Sequence, residues 1–269
     1  MLCARVQRLF AVLERAPLRD GAGEVLCESR TAVLKPLRVL GIETSGLSGS
    51  VALVEGGKVV AHRAHSGENQ HAEKIFGLIE EALEEAGWER ASLGRVAVSR
   101  GPGAFTALRI GMAVADGLSL GLGIEAVTVN SLEALAWSPF VALGDSAPKR
   151  QERELLVALR DARRNELFVG VFDRDGRALE PPHAIAVETA RDELLQRLDG
   201  RSAYVVGQPG IALGFSNDLP AAFHTADPDA RAVALLGAEK EPEAPIRPEY
   251  VRGPNVVKPN LPPSPLAGS

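Results

Sequence analysis

Three polar residues follow the first short apolar run of the chain, and they are the first that could do chemistry. Glu43-Thr44-Ser45 comes directly after VLGI, and Ser48 lies in the small-residue turn beyond. Backbone amides and small hydroxyl groups in such a loop can hold phosphate, and a carboxylate at the strand end can help to place a metal. In the alternative, a tight bend, the same groups hydrogen-bond to the backbone. The sequence leaves both open: a loop with weak affinity for ATP or ADP, or a structural bend.

The histidines do not have the spacing of a metal site. Two imidazoles four residues apart on a helix can bind one ion, but the position four residues after His71 is Ile75. His62 and His65 are three residues apart in a predicted strand, where they would point to opposite faces. We therefore expect no metal, and a metallopeptidase is only a remote alternative.

A charged turn lies between two predicted strands in the second half of the chain. Asp161, Arg163 and Glu166 fall in the sequence DARRNE. They could form a catalytic acid or an arginine–carboxylate site. More often such residues hold a hairpin together by hydrogen bonds and a bidentate ion pair. We interpret them as a structural lock.

Other catalytic patterns are weak or missing. Gly101-Pro102-Gly103 precedes a predicted helix and could bind an anion, but proline removes one amide donor, so a structural turn is favoured. The chain contains no Gly-x-Ser-x-Gly, and its two cysteines, Cys3 and Cys27, lie outside the regular part. These observations predict no catalytic residues.

Composition limits the partners and the compartment. The net charge of −5 and the lack of a Lys/Arg run argue against binding nucleic acid through bulk electrostatics. Two cysteines without a disulfide framework favour a reducing compartment, so we expect a cytoplasmic protein. The most apolar stretch, 104–124, is interrupted by Arg109 and Asp116. No contact with a membrane is therefore expected.

Hydrophobic spacing predicts an α/β fold with two lobes. Apolar residues at helical spacing predict a helix over 71–86, and a second helix is expected from about 105 to 122. The order of hairpin, helix, strand and helix, and a second set of strands further on, indicates two related units. The predicted parts are an extension at 1–36, a first lobe at 37–140, a smaller second lobe at 141–252 and a disordered tail at 253–269.

Several motifs resemble those of the TsaB (YeaZ) family, in order and at sensible spacing. VLGIETSGLSGSVAL (39–53), GPGAFTALRIGMAVADGL (101–118) and DARRNELF (161–168) match its three main motifs. HAEKIFGLIEEALEEAG (71–87) and RPEYVR (247–252) are similar to a helix and to the C-terminal motif of the family. Glu43 departs from the pattern, since TsaB usually has Asp there and Glu is more like the catalytic paralogue TsaD.

The resemblance implies the ASKHA (actin-like, RNase H-like) two-lobed fold. It also implies a non-catalytic subunit that pairs with TsaD for threonylcarbamoylation of adenosine 37 in tRNA. TsaE would join a larger complex, a homodimer could form, and tRNA would be held indirectly through TsaD. An enzyme with its own ATP-dependent carbamoyl or phosphoryl transfer is the alternative.

The same resemblance implies a helical interface with the partner. The helix over 105–122 mixes small and apolar residues around most of its circumference, so it is either fully buried within one domain or shared with a partner. TsaB dimers are similar in using these helices, which favours the shared interface. The residues expected there are His71, Ile75, Leu78, Arg109, Gly111, Met112, Ala115 and Leu118.

Overall fold

The computed structural model describes residues 36–67, 70–143, 153–208, 210–211, 213–216, 219, 221–242 and 244–251. The predicted tail at 253–269 lies outside these residues, and so does the predicted extension apart from Pro36.

The first lobe is built on a five-stranded sheet. Its strands are β1 (Arg38–Glu43), β2 (Gly49–Glu55), β3 (Lys58–His65), β4 (Arg95–Gly101) and β5 (Glu125–Asn130). They lie in the order β3-β2-β1-β4-β5; the first three are antiparallel and β1, β4 and β5 are parallel. The central strand β1 is buried on both faces, as expected of a continuous apolar run.

The second lobe repeats this topology. It contains β6 (Leu155–Asp161), β7 (Glu166–Asp173), β8 (His183–Ala186), β9 (Ala203–Gly207) and β10 (Ala221–Thr225). The order is β8-β7-β6-β9-β10, again with an antiparallel hairpin side and a parallel side. The two related units predicted from the sequence are present, and the α/β class is confirmed.

Helices cover the outer faces of both sheets. In the first lobe α1 (His71–Ala86) packs on β2 and β3, and α2 (Phe105–Leu122) packs mainly on β4. In the second lobe the outer core includes three residues of α4 (Val187–Leu198), which are Ala190, Leu194 and Leu198. Glycine at the αL position ends α1 at Gly87 and α2 at Gly123.

Two further helices lie between the sheets and are exchanged between the lobes. The helix α3 (Ser131–Ala142) follows the first sheet in the chain, but it packs against β6, β7 and β9 of the second. The helix α5 (Ala230–Gly237) follows the second sheet and packs against β1, β2 and β4 of the first. Because α3 ends just beyond residue 140 and contacts both sheets, the exact division between lobes stays a prediction.

Candidate functional site

The loop after β1 is held inside the protein. Glu43, Thr44 and Ser45 are each no more than 1% exposed. The Thr44 hydroxyl donates to the carbonyl of Ala107 in α2 at 2.8 Å. The Glu43 carboxylate accepts from the Ser45 amide at 2.5 Å and from the Ser99 hydroxyl. The polar groups of this loop are therefore bonded to the chain itself.

Arg160, at the end of β6, completes this network from the other lobe. Its Nη1 donates to the Ser45 hydroxyl at 2.7 Å and to the Pro102 carbonyl at 3.0 Å, and its Nη2 donates to the Ser45 carbonyl. Burial lowers the pKa of Arg160, and the carboxylates of Glu43, Asp227 and Asp161 oppose that shift. A buried cation of the second lobe thus binds two loops of the first lobe, where a phosphate-binding loop would need open amides.

Sequence reasoning missed Arg160, although it stands directly before Asp161. Its partners Ser45 and Pro102 are 115 and 58 residues away in the chain, so no local pattern connects them. The only signal was an arginine in an otherwise apolar run, LLVALR, within a strand that is buried on both faces. A charge in such a strand needs a partner, because burying an isolated ion is costly.

The predicted nucleotide loop therefore needs correction. Glu43, Thr44 and Ser45 do not face an open space, and the structural bend is the alternative that agrees with their contacts. Only Ser48 lines a cleft, a space of about 640 Å³ between the lobes. The charged residues lining that cleft are Asp161, Glu166 and Asp227. Among the described residues the lining is acidic and contains no Lys or Arg, which does not suit a nucleotide phosphate.

The turn after β6 brings Asp161 and Arg163 together, but not as a bidentate pair. The Asp161 carboxylate accepts from the Arg163 amide at 2.7 Å, whereas the Arg163 Nη1–Asp161 Oδ2 distance is 3.6 Å and the Arg163 side chain is 75% exposed. Glu166 closes the turn through its backbone, with its carbonyl accepting from Ala162 and its amide donating to Arg163. These hydrogen bonds hold the turn, but the single Arg163–Asp161 charge contact is not the expected bidentate ion pair, and the structural lock stays a prediction.

His71 also serves the loop after β1. It is 3% exposed, its Nε2 lies 3.0 Å from the Gly46 carbonyl and its Nδ1 lies 3.1 Å from His65 Nε2. The side chains of His65 and His71 are therefore in contact. The prediction that His62 and His65 point to opposite faces of the strand did not concern His71. In the described part of the chain, no group of three or more His, Cys, Asp or Glu residues could hold a metal ion.

The outer sides of α1 and α2 form an exposed surface with apolar and small residues. Phe76 on α1 is 55% exposed, and Phe105 and Leu120 on α2 are 52% and 88% exposed. Between the last two, Ala113 and Gly117 are exposed. Large apolar side chains next to small ones on adjacent helices are a feature of protein-binding surfaces. We call this set, with Arg109, the outer helical surface: Phe76, Phe105, Arg109, Ala113, Gly117 and Leu120.

Most of the residues expected at the partner interface lie inside this chain and not on the outer helical surface. Hydrophobic spacing identifies the apolar side of a helix, and here that side packs on the helix's own sheet. Arg109 alone of the eight is exposed; Leu118 is partly buried against the first core. The other six lie inside the protein: His71, Ile75, Leu78, Gly111, Met112 and Ala115.

Comparison with known proteins identifies the family. The family model described as TsaD, tRNA N6-adenosine threonylcarbamoyltransferase, matches residues 58–212, which is more than half of the chain. A TsaD of Thermus thermophilus is 31% identical over 76% of this chain and 72% of its own length. The chain belongs to the TsaD family. Its relatives also include the TsaB protein of Escherichia coli, 29% identical over 61% of this chain and 68% of that protein.

The TsaB (YeaZ) resemblance is confirmed within this family. TsaB proteins of Haemophilus influenzae and Bacillus subtilis also match, and the chain spans only 56% and 58% of their length. A crystal structure of a YeaZ-like protein from Pseudomonas aeruginosa aligns with a TM-score of 0.66 and 23% identity, covering 80% of this chain and all of that one. This likeness shows a common fold, and the expected ASKHA fold is confirmed.

One helix of this TsaD-family chain is also long and apolar enough to cross a membrane. Among the described residues, α2 meets this test by length and composition. Core helices of soluble proteins meet the same test, so it is weak evidence. The inner side of α2 packs in the first core through Met112, Val114 and Ala115, as in a core helix.

Proposed function

We propose that this chain is an accessory subunit for the formation of threonylcarbamoyladenosine in tRNA, and that it acts in the cytoplasm by pairing with TsaD. The names of its TsaB relatives assign those proteins to this biosynthesis. TsaE would join the larger complex. The net charge of −5 agrees with a subunit that leaves most of the tRNA contact to its partner.

The observation that carries the pairing is the outer helical surface. Two adjacent helices expose Phe76 on α1 and Phe105 and Leu120 on α2, and α2 also exposes the small residues Ala113 and Gly117. A Cβ added at Gly117 would meet nothing within 4 Å, so the space above this part of α2 is open. A helix of the partner could approach closely there and cover the exposed aromatic side chains.

The loop after β1 and the cleft beside it favour a partner role over independent catalysis. The residues that could hold a nucleotide phosphate, Glu43 to Ser45, are buried and engaged by Ser99, Ala107 and Arg160. The open cleft beside them is lined by three carboxylates. ATP-dependent transfer by this chain alone would require that network to open and the cleft to accept a like charge.

The test is a single charge on the outer helical surface. Ala113→Glu should leave the fold intact, because Ala113 is exposed, and should abolish or strongly weaken the complex with the TsaD of the same organism. Gln196→Glu, on the exposed side of α4 in the other lobe, adds the same charge as a control. The readouts are mass by light scattering and modification of tRNA in a reconstituted reaction.

Unchanged complex formation by Ala113→Glu would contradict the proposed surface. The substitution Ala115→Glu is unsuitable for this purpose. Ala115 is 0% exposed, so a carboxylate there would enter this chain's own core and unfold it.

A further inference from the structure

The C-terminal segment 244–251, here called the strap, follows α5 and packs on the first lobe. Ile246 is 6% exposed and belongs to the core beneath α1 and α2. The Glu249 amide donates to the Arg100 carbonyl at 2.7 Å. A Cβ added at Gly101 would lie 2.6 Å from the Glu249 carbonyl oxygen, so the strap touches the first lobe backbone to backbone.

The side chain of Glu249 anchors the strap. Its Oε2 accepts from Arg100 Nε at 3.0 Å and from Asn130 Nδ2 at 2.9 Å. Asn130 is itself fixed, because its Oδ1 caps α3 by accepting from the Leu132 amide at 2.8 Å. The residue that follows the anchor, Tyr250, is thereby placed at the start of α2.

Tyr250 extends the outer helical surface. Its ring stacks on Phe105, with a centroid distance of 5.2 Å and an interplanar angle of 29°. The guanidinium of Arg109 lies 3.8 Å from the Phe105 ring centroid, and Arg109 Nε donates to the Tyr250 hydroxyl at 3.3 Å. Tyr250 is 44% exposed and Phe105 is 52% exposed. The three side chains hold each other in place while remaining open to a partner.

We propose that Tyr250, Phe105 and Arg109 anchor the partner at the N-terminal end of α2, and that the partner places a carboxylate against Arg109. This inference rests on the proposed pairing with TsaD and assigns the contact within it. Arginine and tyrosine dominate binding energy in protein interfaces, most of all when their geometry is set before binding. Among the described residues no carboxylate pairs with Arg109, which leaves its charge available to a partner.

Two residues of the motif RPEYVR, Glu249 and Tyr250, thereby obtain a role in partner binding. Glu249 positions the strap, and Tyr250 is the contact. Because Tyr250 does not enter the core, its loss should affect binding more than the stability of the isolated chain.

The experiment measures the Kd for TsaD by calorimetry at several salt concentrations. Tyr250→Ala should raise the Kd about tenfold or more, as expected for an aromatic residue that anchors an interface. Tyr250→Phe keeps the stacked ring and should stay within about threefold of wild type. Arg109→Gln should raise the Kd and also reduce its salt dependence, since an ion pair across the interface is lost.

The outcomes separate this inference from the proposed function. If Ala113→Glu abolishes the complex while Tyr250→Ala and Arg109→Gln bind as wild type with the same salt dependence, the inference is overturned and the pairing stands. If Ala113→Glu also has no effect, TsaD does not bind at the outer helical surface; if the wild-type chain forms no complex with TsaD, the pairing itself fails. The melting temperature of each variant, alone, should equal that of wild type; if Tyr250→Ala loses structure, Arg109→Gln decides, because its side chain is exposed.

Discussion

Arg160 of the second lobe donates through Nη1 to the hydroxyl of Ser45 in the first lobe, at 2.7 Å. The same guanidinium also binds the carbonyls of Ser45 and Pro102. Two loops and one strand from different lobes therefore depend on a single buried cation. The polar groups of the loop after β1 therefore stabilise the contact between the lobes and are not free to bind a phosphate.

Replacement of Arg160 by Met should strongly destabilise the chain. The change leaves the carbonyls of Ser45 and Pro102 without a donor and removes the cation near the buried Glu43. We expect the free energy of unfolding to fall by about 3 kcal/mol or more. Urea unfolding would measure it. Arg163→Met is the control: its side chain is 75% exposed, and the expected change is within about 0.5 kcal/mol. Equal stability of the two variants would argue against the role of Arg160.

Gly237 marks a contact between α5 and the first sheet that leaves no room for a side chain. A Cβ at this position would overlap the Cβ of Ala97 and lie 3.2 Å from Val127 Cγ2. Gly237→Ala should therefore lower the free energy of unfolding by about 1–3 kcal/mol. Gly121→Ala, also near the end of a helix but with nothing within 4 Å, should be neutral or stabilise by up to about 1 kcal/mol. Thermal unfolding of both variants would show whether the signs differ.

If the chain forms a homodimer, we expect the second copy to occupy the outer helical surface. In an antiparallel alignment of two α2 helices that places Phe105 opposite Leu120, Arg109 falls opposite Asp116. We expect Arg109→Asp to weaken self-association by like-charge repulsion and the double variant Arg109→Asp/Asp116→Arg to restore it. Light scattering over a range of concentrations measures both. Failure of the second change to restore pairing would exclude this alignment.

Stability should fall as the pH drops below the ordinary histidine range. Burial lowers the pKa of His62, His65 and His224, and the neighbouring His71 adds to the shift of His65. The unfolded chain then binds more protons than the folded one below about pH 6.5, so stability rises with pH in this range.

The melting temperature should accordingly be lower at about pH 5.5 than at about pH 7.5. His224→Gln removes one of the three contributions and should make the dependence shallower. A melting temperature that stayed constant, or rose, on acidification over this range would contradict the expectation.

Periodicity and turn residues were sufficient to predict the elements of the first lobe. The expected helix over 71–86 is α1, and the helix expected from about 105 to 122 is α2. These segments are long, and glycine follows each one, so local signals determine where they end. The strands β8 and β10 were not predicted. They are four and five residues long, and their pairing with β7 and β9 depends on distant parts of the chain.

The site residues were less predictable for a physical reason. Spacing identifies an apolar side of α2 but not what covers it, and the side chosen from the sequence packs on β4 rather than on a partner. The role of Glu43 depends on Ser99 and that of Ser45 on Arg160, both far away in the chain. Such networks appear only once the sheets are assembled.

Because α3 and α5 are exchanged between the two sheets, each half of the chain lacks the helix that covers one face of its own sheet. A fragment ending at residue 143 would lack Ala230, Val233 and Leu236, which cover one face of its sheet. The complementary fragment would lack Leu132, Leu135 and Ala136 in the same way. The folding of each lobe thus depends on the presence of the other. During translation, the first lobe cannot complete its packing before α5 has been synthesised. A substitution that destabilises either sheet should therefore destabilise both lobes.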